Sequence, residues 1–293
     1  MDELVRTNPI LSLVRHGAYH HRLFGGKVRV LGFGPNFNGE TDLNWSFKDG
    51  PAVSKYLPHI ASLLGTKDIY APKPTEFNAL LCRKDALTEL VEIKNGVQSV
   101  TLHRGALADG LILEPGDLFG NSLGGCPDLV VWRRDTNLLG VAHAGRRSVI
   151  NEYKIGNTEA KMRLHESVVS QLINGLGGSP VAVKKELWAA IIFPVKPELF
   201  THPWSDTPEG KLNEARCRRF FEQCGQKSVP GWLTSQRMKG EIDLYSALRE
   251  QLLQFGVPQR HIRLLPLPNG WWTTRGDPAR NSYRNLVLIE HVA

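Results

Sequence analysis

The sequence predicts an α/β fold, an α+β sandwich of mixed β-sheets flanked by helices in a single domain. Three observations carry this. Short apolar runs bounded by turn residues alternate along the chain with stretches of helical periodicity. The alternation lacks the strict strand–helix–strand rhythm of a purely parallel sheet. No linker divides the 293 residues, a length that buries a sizeable core without disulfide or metal staples.

Residues 1–27 read as an N-terminal extension, basic around His20-His21-Arg22 and closed by a turn at Gly25-Gly26. The domain proper spans 28–293 and opens with a strand from Lys27 to Phe33. Val53, Tyr56-Leu57, Ile60 and Leu63-Leu64 then recur at helical spacing over Ala52–Leu64, with Gly65 as the stop and Pro58 as an expected kink. Val97–Leu102 alternates as a strand and ends at His103, and Leu111–Leu113 forms another. Leu129–Trp132 and Leu138–Ala142 are apolar runs joined by a five-residue polar turn, a hairpin that delivers His143. Ala160–Ile173 is an amphipathic helix ended by Asn174-Gly175, and Trp188–Phe193 a buried strand. Residues 194–240 shift to proline, charge and scattered aromatics and predict no regular element. Ile242–Phe255 is a helix with Asp243 at its start, and strands at Ile262–Leu267 and Leu286–Ile289 close the chain.

Composition narrows the function. A hydrophobic fraction of 41% with 22% charged residues excludes a disordered chain. Four scattered cysteines make no disulfide framework, and the N-terminus carries no secretory pattern, so a reducing, cytoplasmic location is expected. No apolar run is long enough to span a bilayer, so no membrane partner is expected. The net charge is +7, from 36 Lys+Arg against 29 Asp+Glu, but it is spread without a block of like charges. That pattern points away from nucleic acid and towards a small anionic substrate or a basic rim on a cleft.

Three residues stand where a strand gives way to a loop, the usual place for side chains to share a cleft: His103, Cys126 in Gly124-Gly125-Cys126-Pro127, and His143. A His–Cys–His set with one open position is the logic of a catalytic zinc site. The same atoms equally suit a thiolate–imidazole nucleophile. Each residue alone reads as an ordinary buried thiol or a backbone-satisfied histidine, and their spacing matches no local zinc pattern. Cys217 and Cys224, seven apart, would share one face of a helix as ordinary thiols. Gly32-Phe33-Gly34-Pro35 resembles part of a dinucleotide loop, but it lacks the third glycine.

Gly140-Val141-Ala142-His143-Ala144-Gly145-Arg146-Arg147-Ser148 closely resembles the signature of the YfiH-type laccase-domain family. The family is also called polyphenol oxidases, peptidoglycan-editing factors or purine nucleoside phosphorylases. Leu102-His103-Arg104-Gly105 before Asp109-Gly110 is similar to its Val-His-Gly and Asp-Gly pieces, and Cys126-Pro127 before an apolar strand to its Cys–Pro segment. Leu43-Asn44, Asp243-Leu244-Tyr245 and Trp271-Trp272-Thr273-Thr274-Arg275-Gly276-Asp277 resemble further family segments in the same order, with Arg284 near the closing Gly-Arg. Arg146 and Ser148 replace the family's Trp and closing Gly, Gly125 its Asp before the cysteine, and its central Gly-Pro-x-Ile-Gly-x-Cys segment is absent.

The resemblance implies a zinc-dependent enzyme of purine nucleosides, performing phosphorolysis of adenosine or inosine, adenosine deamination, or both. It assigns His103, Cys126 and His143 to zinc and catalysis. For substrate and phosphate it offers Asn44, Arg147, Arg275, Asp277 and Arg284, with Arg147 foremost. Copper ranks below zinc, because three copper types need more histidines in register than the sequence places. The alternatives are a cysteine hydrolase, deamidase or peptidoglycan-editing enzyme using Cys126 with His143, and a non-catalytic nucleotide-binding protein.

Overall fold

The computed structural model describes residues 9–40, 43–73, 81–150, 152, 167–177, 184–271 and 284–293. Two mixed sheets lie face to face, with helices on both outer faces.

The first sheet holds β1 (Tyr19–Leu23), β2 (Val28–Phe33), β3 (Asp68–Tyr70), β5 (Glu89–Asn95), β6 (Gln98–Arg104), β8 (Leu118–Leu123) and β13 (Asn285–His291), in the order β1-β2-β13-β8-β3-β6-β5. The second holds β4 (Leu81–Cys82), β7 (Gly110–Leu113), β9 (Asp128–Arg133), β10 (Leu138–His143), β11 (Leu187–Ile192) and β12 (Ile262–Leu265), in the order β12-β11-β9-β10-β7-β4. Residues 19–23, read as part of an extension, are thus an edge strand paired antiparallel with β2.

Alternation along the strands sorts the core into three layers. Val130, Trp132, Leu139 and Val141 meet Val28, Val30, Phe119 and Val287 between the sheets. Leu129, Val131 and Ala142 face outward under α3 (Arg146–Val149), α4 (Val168–Gly175), α5 (Pro208–Cys224) and α6 (Leu244–Gln254). On the far side, α1 (Pro9–Arg15) and α2 (Pro51–Leu63) cover Leu31, Ile69, Val100 and Leu102. Among the described residues no helix is long and apolar enough to cross a membrane.

The predicted hairpin is present, with Leu138–His143 laddered antiparallel to Arg133–Asp128. Helix α2 runs through Pro58 to Leu63, and Pro51 starts it. Of the helix predicted at 160–173, residues 160–166 lie outside the described residues; α4 begins after Ser167, whose side chain and that of Ser170 form a reciprocal cap. The stretch 194–240 is not irregular. It contains the 17-residue α5, capped by Thr207, started by Pro208 and stopped at Gly225. Cys217 and Cys224 share its buried face, as their spacing predicts. Gly32 and Gly34 belong to packing rather than to a dinucleotide loop: a Cβ on either would strike the Trp271 indole at 2.4 or 2.5 Å.

Candidate functional site

The site forms at one end of three neighbouring strands of the second sheet. Asp128 opens β9, His143 closes β10 directly opposite it, and Asp109 immediately precedes β7. The His143 amide donates to the Asp109 carbonyl at 2.8 Å, and the Ala144 amide to the Pro127 carbonyl at 2.7 Å. These bonds tie the strand ends to the segment that carries Cys126. That segment crosses from β8 in one sheet to β9 in the other, and Gly125 at φ +128° makes the crossing in a backbone conformation that side chains rarely adopt.

Cys126 and His143 act on one another directly, each favouring the charged form of the other. Behind the imidazole, Asp109 Oδ1 lies 3.7 Å from Nδ1, an ion-pair contact, and Asp109 is 1% exposed. Burial alone pushes the Cys126 thiol up. It is outweighed by the hydrogen bond and charge of His143, the Arg146 backbone N–H and the Arg146 charge, so the thiol is held below its ordinary value. Burial likewise opposes the charge on His143, but Asp109 and Cys126 raise its value to about 10. The arrangement favours the charged forms of the thiol and the imidazole, with the Asp109 carboxylate behind the ring.

A second carboxyl lies between the sheets. Asp128 is fully buried, its Oδ1 accepts from Asn121 Nδ2 of β8 at 2.6 Å, and its value is pushed by burial up to about 7 against the His143 charge and that hydrogen bond. Outside the pair, Arg146 Nε donates to the buried Glu152 Oε1 at 3.0 Å. Arg147 Nε lies 3.7 Å from Glu152 Oε2, and Arg216 Nε of α5 lies 3.5 Å from Oε1.

The structure brings Cys126 and His143 together but not His103. His103 lies in the first sheet, opposite Tyr70 of β3, where its Nε2 is 2.7 Å from Asp68 Oδ1 and its ring packs 4.9 Å from that of Tyr70. Among the described residues no three His, Cys, Asp or Glu side chains are placed to hold a metal ion. Among the described residues, His103, Cys126 and His143 do not form a three-ligand zinc site. His103 comes from β6, which pairs with β3 and β5, whereas His143 ends a strand of the other sheet.

The remaining expected residues divide. Arg284 acts electrostatically on Cys126, and Arg147 lies beside Glu152. Asn44 shapes the turn into α2, its Oδ1 accepting from the Ser46 amide and its carbonyl from the Ala52 amide. Arg275 and Asp277 lie outside the described residues. Sequence reasoning did not assign Asp109, Asp128, Asn121, Glu152 or Arg216 to the site. Only Asp109 carried a signal, the Asp-Gly step before an apolar strand.

No family model matches the sequence, and no curated protein matches it. Solved structures do match. The Neisseria meningitidis protein NMB0706, of the family described as DUF152, superposes with a TM-score of 0.64 at 16% identity, covering 94% of this chain and 99% of that one. YlmD from Geobacillus stearothermophilus gives 0.60 at 18%, covering 91% and 92%. The Bacillus licheniformis hypothetical protein YfiH gives 0.59 at 15%, covering 90% and 92%. The chain has the YfiH-type fold along nearly its whole length, the fold that its motifs resemble.

Proposed function

We propose that this protein is a cysteine-dependent hydrolase or deamidase built on the YfiH-type fold. Cys126 is the nucleophile, His143 its acid–base partner and Asp109 the group that steadies the imidazolium. The observation that carries the reading is the direct interaction of Cys126 with His143, with the Asp109 carboxylate 3.7 Å from Nδ1 behind the ring.

The chemistry balances within these residues. The Cys126 thiolate adds to an electrophilic acyl or amidine carbon, and the Nε2/Nδ1 imidazolium of His143 gives its proton to the departing amine or ammonia. A water then attacks the thioester or its nitrogen counterpart. His143, now neutral, takes the proton from that water, and the thiolate leaves as the C–S bond breaks. Asp109 favours the charged imidazole at the start and end of the cycle.

Alkylation of protein purified without chelator tests this. Iodoacetamide is expected to modify Cys126 in metal-free protein near neutral pH, ahead of the half-buried Cys82. Protection of Cys126 by one tightly held zinc ion would overturn it.

A second reading, zinc-dependent processing of purine nucleosides, is favoured by the same contact, because a thiolate and an imidazole side by side are two donors of a tetrahedral site. It needs a third donor other than His103. Metal analysis, together with release of hypoxanthine and ribose-1-phosphate from inosine and phosphate, tests it.

A further inference from the structure

A cleft of about 840 Å³, lined by neither Cys126 nor His143, opens between α5 and the segment 231–238. Its volume lies within the range of small-molecule sites. Helix α5 supplies Glu214 and Arg218, one turn apart, and Trp204, Trp232, Arg237 and Met238 supply most of the rest. All of these residues belong to the stretch whose composition predicts no regular element.

The walls are held in place. Trp232 stacks on Phe221 with the ring centres 5.0 Å apart and the planes 22° from parallel, and the Arg218 guanidinium lies 5.7 Å over its ring. The Trp204 indole meets Trp232 at 73°, their centres 5.4 Å apart, and the Trp204 amide donates to the Met238 carbonyl at 2.9 Å. Thr234 caps the short 3₁₀ helix Ser235–Lys239 that carries Arg237 and Met238, its Oγ1 accepting from the Gln236 amide at 3.2 Å. Side chains fixed in this way need little further ordering when a ligand binds.

The lining joins apolar surface to one unbalanced cation. Leu233 and Met238 are 68% and 51% exposed, so the cleft leaves two large apolar side chains in water beside the indoles. Two guanidinium groups face one carboxylate. Arg218 Nη2 donates to Glu214 Oε1 at 3.2 Å, which leaves Arg237 without an ion pair among the described residues. Indole, thioether and isobutyl groups pack against a flat apolar body, and a guanidinium fork matches the oxygens of a carboxylate or phosphate.

We infer that this cleft is a second binding site, for an amphipathic anion: a flat apolar body bearing one carboxylate or phosphate. Trp204, Leu233 and Met238 take the body and Arg237 takes the oxyanion. Nothing in this binding calls on the thiol of Cys126.

Calorimetric titration of the full chain with phenylacetate, phenyl phosphate and the uncharged phenylacetamide tests this. At least one of the anions is expected to bind about tenfold more tightly than the amide, and the better of the two tells a carboxylate from a phosphate preference. Arg237→Gln should remove that preference and leave the affinity for the amide unchanged, with Arg237→Lys keeping most of it. Leu233→Ser combined with Met238→Ser should weaken the binding of every compound that binds. All three positions are exposed, so these substitutions leave the core intact. Equal affinity for the anions and the amide, an anion preference that survives Arg237→Gln, or no binding of any of the three compounds overturns the inference.

Discussion

Asp128 and His143 face each other across the first rung of the β9–β10 ladder, and burial acts on them with different outcomes. The imidazole keeps its proton because Asp109 and Cys126 reward the charge. The carboxyl, with one hydrogen bond from Asn121, is pushed up to about 7.

The buried Asp128 makes stability depend on pH. Its folded-state value lies above the ordinary aspartate value, so the proton it holds favours the folded chain at low pH. That contribution is lost as pH rises towards about 7. Asp128→Asn, which needs no ionisation, is expected to stabilise the protein at alkaline pH, by at most about 4 kcal/mol, and to make little difference at acid pH. Denaturant unfolding of both proteins across the pH range checks this. A benefit that grows towards acid would contradict it.

Removing the imidazole should strip the thiol of its main support. His143→Ala leaves burial opposed only by the Arg146 backbone N–H and charge, and alkylation of Cys126 near neutral pH is expected to fall by about 100-fold or more. Peptide mapping after timed iodoacetamide treatment measures it. An unchanged rate would mean that the thiol does not depend on His143.

Gly145 is needed for the space it leaves. A Cβ there would come within 2.8 Å of His143 Cε1, so the ring must move from its place between Cys126 and Asp109. Gly145→Ala is expected to cost about 1–3 kcal/mol and to slow Cys126 alkylation, while the circular dichroism spectrum stays native. Full thiol reactivity in the variant would show that the ring position is not critical.

His103 should matter little to the thiol. Its ion-pair partner Asp68 is 53% exposed, so His103→Ala is expected to cost at most about 1 kcal/mol. Cys126 alkylation and metal content should stay as in the unaltered protein. Loss of bound zinc in this variant would restore the three-ligand site.

These expectations show what the sequence disclosed. The β9–β10 hairpin was legible because two apolar runs flank a polar turn, and with it came the strand-end position of His143. Cys126 was legible from its glycine-rich setting. Helix α5 was not, because its buried positions Gly210, Asn213, Arg216, Cys217, Phe220 and Cys224 follow the helical period with half of them polar or small. A hydropathy pattern cannot reveal a face that buries Arg216 and Asn213. His103 stands one residue before the end of β6, and alternation turns it away from the Val100 and Leu102 face. Which sheet receives that strand is set by long-range pairing with Asp68–Tyr70, a relation that no local pattern carries.

The most direct test of the central claim is the ultraviolet thiolate absorbance of the protein minus that of Cys126→Ser, followed against pH. A thiolate already present at neutral pH, and lost there in His143→Ala, is the predicted result. A difference signal that appears only under alkaline conditions, in the range of an ordinary thiol, would contradict the account.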